Sequence, residues 1–74
     1  MTLKERFEME AKEVEGKKEL RVLTTAVKLP TGAIEVITNT QFIGSKMEYL
    51  LNAYDDEFKL KNNPQVQIVG YMLV

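Results

Sequence analysis

The sequence predicts one α+β domain of order α-β-β-α-β, a three-stranded antiparallel sheet in strand order 2-1-3 packed with two helices. Three observations predict it. Apolar residues recur at helical spacing from Leu3 to Val14 and again from Ile43 to Phe58, and at two-residue spacing in the stretches between and after them. Pro30-Thr31-Gly32 separates two strand-like runs at hairpin distance. The length of 74 residues gives residues 1-74 one core and no second domain.

The first helix runs from Thr2 to Glu15. Thr2 and Glu5 have the spacing of a capping box, in which each side chain takes up a backbone N–H that the helix start leaves free. Leu3, Phe7, Ala11 and Val14 form one apolar stripe. Around it Lys4/Glu8, Arg6/Glu10, Glu8/Lys12 and Glu13/Lys17 stand four apart, the pattern of a solvated face worth about 0.2–0.5 kcal/mol per pair. Gly16 stops the helix, and Lys17 and Lys18 complement the negative end of its dipole. Leu20 to Leu29 is apolar on both phases, as a central strand is. Pro30 then fixes a negative φ and Gly32 is free to take a positive one, which closes a hairpin onto a second strand, Ala33 to Thr38.

Ile43, Met47, Leu50, Leu51, Tyr54 and Phe58 form the stripe of the second helix, with Thr38, Asn39 or Thr40 as its cap and Asn62-Asn63-Pro64 as its end. Gly44 near its start is expected to let the backbone approach the sheet. Gln65 to Val74 is the third strand. A right-handed crossover from the second strand to the third, skipping the first, leaves Leu20 to Leu29 in the centre. The expected core is Phe7, Val27, Ile34, Ile43, Met47, Leu51 and Ile68. If both helices lie on one side of the sheet, Leu20, Val22, Val69, Tyr71 and Leu73 exceed what they can cover, and this apolar surface is the candidate partner-binding site. A homodimer through the sheet or its edge is the simplest way to cover it.

The composition narrows the chemistry. There is no Cys and no His, so thiolate and imidazole catalysis, disulfides and the usual zinc sites are out, and no catalytic, cofactor-binding or metal residue is assigned. Thr24, Thr25 and Ser45 have no base to activate them, and Ser45 and Lys46, adjacent in sequence, diverge on a helix. Asp55-Asp56-Glu57 with Glu48 offers carboxylates to a hard cation but no calcium-loop pattern, and reads better as solvated surface. Glu8, Glu10, Glu13 and Glu15 read the same way, between their lysines. No glycine belongs to a phosphate-binding loop pattern. Ten Lys and Arg against eleven Asp and Glu give a net charge of -1, which provides no global field for nucleic acid. A local set, Lys28, Lys46, Lys59 and Lys61, carries the alternative of a selective nucleic-acid binder, although Tyr54 and Phe58 near it belong to the buried stripe and read better as core than as base-stacking residues. No apolar run approaches the length of a membrane span.

Two stretches and the tail carry a resemblance. They are Thr25-Ala26-Val27-Lys28-Leu29-Pro30-Thr31-Gly32-Ala33-Ile34-Glu35-Val36-Ile37-Thr38-Asn39-Thr40, then Tyr49-Leu50-Leu51-Asn52-Ala53-Tyr54-Asp55-Asp56, then Val69-Gly70-Tyr71-Met72-Leu73-Val74. Over about residues 25-74 the chain resembles small uncharacterised accessory proteins encoded by phages and prophages of Gram-positive bacteria. The resemblance transfers no site. It implies a protein made in the cytoplasm of a bacterial host cell that binds a host or phage protein, as a host-takeover or counter-defence factor does, or that assists phage DNA metabolism or assembly.

Overall fold

The computed structural model describes all residues from Met1 to Val74. The chain runs α1 (Leu3–Val14), β1 (Leu20–Lys28), β2 (Ile34–Phe42), α2 (Ile43–Ala53), β3 (Lys59–Leu60) and β4 (Asn63–Leu73). The sheet has four strands, not three, in the order β2-β1-β4-β3, with β1 central and antiparallel to both neighbours. The additional strand is the two-residue β3, which pairs antiparallel with β4. A two-residue strand lies below the length at which alternation can be read. No helix is long and apolar enough to cross a membrane.

Local chemistry sets the boundaries. The capping box forms as the spacing predicts: the Glu5 N–H donates to Thr2 Oγ1 at 3.1 Å and the Thr2 N–H donates to Glu5 Oε1 at 2.8 Å. The hairpin closes with Gly32 at φ 91°, its N–H donating to the Leu29 carbonyl while the Leu29 N–H donates to that of Ala33. β2 runs past Thr38 to Phe42 and enters α2 with no connecting residue and no side-chain cap, so Thr38, Asn39 and Thr40 are strand residues, not caps. The Ile43 N–H, free at the helix start, donates to the Glu19 carbonyl instead.

α2 stops at Ala53. Tyr54 forms an isolated bridge to Leu60, and the Asp55 carboxylate takes the N–H groups of Glu57 and Lys59, both at 2.9 Å, building a turn where the helical stripe predicted another turn of helix. Tyr54 and Phe58 are nevertheless buried, Phe58 from a backbone at φ 60°. The Phe7 ring meets Phe58 and Tyr71 edge-on at 5.3 and 4.9 Å.

The core comprises Phe7, Val14, Leu23, Val27, Ile43, Met47, Leu50, Tyr54, Phe58 and Ile68. Two expected members lie elsewhere: Ile34 is half exposed because it points to the sheet face opposite the helices, and Leu51 is only partly buried because Leu50 takes the inward position. Lys4, expected in a solvated pair with Glu8, is buried; its Nζ donates to the Tyr54 carbonyl at 3.3 Å and lies 3.7 Å from Asp56. Gly44 brings α2 against the end of α1, not against the sheet: a Cβ there would stand 2.7 Å from the Val14 carbonyl oxygen.

Candidate functional site

Both helices cover one face of the sheet. Leu23, Thr25 and Val27 of β1 point into the core they form, and the register places Leu73, Tyr71 and Ile68 of β4 beside these residues. The opposite face is uncovered. In cross-strand rows it carries Val36 and Ala26 with Gly70, Thr38 and Thr24 with Met72, Thr40 and Val22 with Val74, and Phe42 with Leu20. Ile34, Lys28 and Gln67 form the row at the hairpin tip. Leu20, Ile34, Val36, Phe42, Met72 and Val74 are between 52 % (Ile34) and 69 % (Val74) exposed. The hydroxyls of Thr24 and Thr38 satisfy each other at 3.0 Å, so the middle of this face presents little unmet polarity.

The second feature is the outer edge of β2, whose nine residues pair with β1 without a register break. In an antiparallel ladder the residues alternate between facing the partner strand and facing away. The bonds from Leu29 N–H to the Ala33 carbonyl and from Ile43 N–H to the Glu19 carbonyl fix the phase at both ends of the hairpin. Glu35, Ile37, Asn39 and Gln41 therefore bond inward, and Ile34, Val36, Thr38, Thr40 and Phe42 direct their N–H and carbonyl groups outward. Beside this edge, Ile37, Asn39 and Gln41 line a groove shared with Lys46 and Tyr49 of α2. The Lys46 ammonium sits 5.2 Å from the centre of the Tyr49 ring.

The sequence-predicted surface divides. Leu20 and Val22 stand on the open face as expected, but Tyr71 and Leu73 pack against the core under the helices. The cause is a bulge. Val27 pairs with Ile68 and Ala26 with Gly70, so Val69 is an extra residue that changes the phase of β4 and lets Ile68, Tyr71 and Leu73 share the helix side. Val69 itself is exposed beside Leu3. Ile34, Val36, Phe42, Met72 and Val74 are the open-face residues missed in the sequence; continuing the β2 alternation through Phe42 would have found three of them.

The four lysines of the nucleic-acid alternative do not form one surface. Lys28 and Lys59 flank Gln67 in the tip row, with Lys59 3.4 Å from Glu57. Lys61 lies in the turn before β4, and Lys46 is on the helical layer. The acidic run is occupied: Asp55 caps its turn, and its N–H partners, Lys59 foremost, hold its carboxyl below the ordinary range. No three His, Cys, Asp or Glu side chains converge as a metal site would need.

Under α1, Arg6 Nε donates to Tyr71 Oη at 3.4 Å with the guanidinium 5.0 Å from the ring centre. That bond raises the Arg6 pKa, while burial pushes the Tyr71 and Tyr54 hydroxyls up. A phenol kept neutral beside a permanently charged guanidinium ties α1 to β4. Comparison of the chain with protein-family models, with curated proteins and with solved structures finds no match.

Proposed function

We propose that this chain is a non-enzymatic accessory protein of phage or prophage type that binds a host or phage protein by adding a strand of that partner to the β2 edge. The observation that carries the reading is the unbroken nine-residue edge with outward N–H and carbonyl groups at alternate residues from Ile34 to Phe42. Natural sheets block such edges with lysine, proline, bulges or short strands. β2 has none of these, and Glu35 is its one charged residue. An incoming strand bonds to the edge backbone and alternates its side chains between the open face and the groove at Ile37, Asn39 and Gln41. Lys46 in that groove favours an acidic residue on the second phase.

The test uses Thr40→Pro. The Thr40 N–H points outward, so proline there removes a donor that β1 does not use and blocks the edge while leaving the hairpin paired. The chain is used as bait in lysates of phage-infected Gram-positive cells, and a captured protein is then titrated in purified form. Expected are at least tenfold weaker binding by Thr40→Pro at unchanged thermal stability, and slowed exchange of the Val36, Thr38 and Thr40 amides in the wild-type complex. A captured partner that binds Thr40→Pro as well as the wild type overturns the reading.

A further inference from the structure

The open sheet face is a second surface, distinct from the β2 edge, and we infer that it is covered by the same face of a second copy of this chain. Area supports that occupant. The exposed parts of Leu20, Ile34, Val36, Phe42, Met72 and Val74 amount to on the order of 700 Å², close to the roughly 800 Å² per partner of a stable interface. Val22, Ala26, Thr38 and Thr40 add to it. A self-complementary contact also needs a surface with no net sign, because each group on it meets a symmetry-related copy of its own kind of environment. The rows from Val36 to Phe42 carry no charged side chain, and the only polar pair inside them, Thr24 and Thr38, is mutually bonded.

Charge placement goes further and chooses the orientation. Lys28 and Lys59 lie in the tip row at one end of the face. A two-fold axis along the strands would set the tip rows of the two copies beside each other and crowd these lysines. An axis across the strands sets each tip row over the Leu20 and Phe42 end of the other copy and separates them by the length of the strands. Two sheets packed in this way give a sandwich with one helical layer on each outside, their strands within about 30° of each other. Both β2 edges stay free at its flanks, so the inference does not depend on what binds there.

Sedimentation at 10–100 µM, chosen to span the affinities of ordinary dimers, reads the state directly. Expected is a dimer for the wild type and a folded monomer for Met72→Lys. Met72 is exposed and two strands away from the β2 edge, so this variant leaves the proposed strand-addition site intact. Spin labels on Lys28→Cys, the only cysteine in such a chain, should report a separation near the strand length and not a close pair. A wild-type monomer across the range overturns the inference. So does a dimer that survives Met72→Lys, which would place the contact away from the open face.

Discussion

Two residues carry stresses that ordinary substitution rules would misjudge. Gly44 sits in a helix, where alanine is normally better by about 1 kcal/mol. Its Cβ would meet the Val14 carbonyl oxygen at 2.7 Å, and a backbone atom cannot swing aside. Gly44→Ala is therefore expected to lower stability by about 1–3 kcal/mol, as overpacking does, with a lower thermal midpoint as the readout. Phe58 is buried at φ 60°, a conformation that costs a side-chain-bearing residue roughly 1–2 kcal/mol. Its ring, set against Phe7 and Tyr54, outweighs that cost, since removing a buried phenylalanine loses about 3–5 kcal/mol. Phe58→Ala and Phe58→Gly should both be strongly destabilised, with the glycine variant the more stable of the two by denaturant titration.

At the scale of elements, the turn after α2 is held by one carboxylate. Asp55 accepts the N–H groups of Lys59 and Glu57 and has a lowered pKa in the folded chain. The unfolded chain releases that proton only at the ordinary value, so the contribution is fully present above the ordinary aspartate pKa and disappears as pH falls through the lower folded one. Urea midpoints are expected to decline as pH falls below about 4, and Asp55→Ala should flatten that decline. The capping box, the hairpin and the central strand were legible because each depends on neighbours in sequence. The end of α2 was not: Tyr54 and Phe58 continue the spacing of Ile43, Met47 and Leu50, yet reach the core from a bridge and a turn. The bulge at Val69 was equally hidden, since Ile68 to Leu73 is apolar on both phases and has no alternation whose break would mark the extra residue.

Across the whole molecule, the layer arrangement follows from how little a short chain can cover. α1 and α2 pack together through Gly44 over one face of the sheet, α1 against β4 and α2 against β1 and β2, leaving the outer edge of β2 and the whole opposite face uncovered. The sequence pointed to leftover apolar surface only on the condition that both helices share one side of the sheet, and it named Leu20 and Val22 as the β1 residues that would carry it. It could not show that the β4 contribution comes from Met72 and Val74 in place of Tyr71 and Leu73, because that assignment turns on the register with β1.

The central place of β1 also bears on the order in which the sheet assembles. Its partner on one side, β2, lies across a five-residue connection, whereas its partner on the other, β4, arrives only after α2 and the Asp55 turn. Loop closure makes the first pairing fast, on the order of microseconds, and the second is the late, entropically costly event. Gly32→Ala, which burdens the hairpin at φ 91°, should then mainly slow refolding, and Ile68→Val in β4 should mainly hasten unfolding. Stopped-flow chevrons of the two variants separate these limbs. Equal shifts of both limbs in both variants would mean that the two edges of β1 are paired in one step.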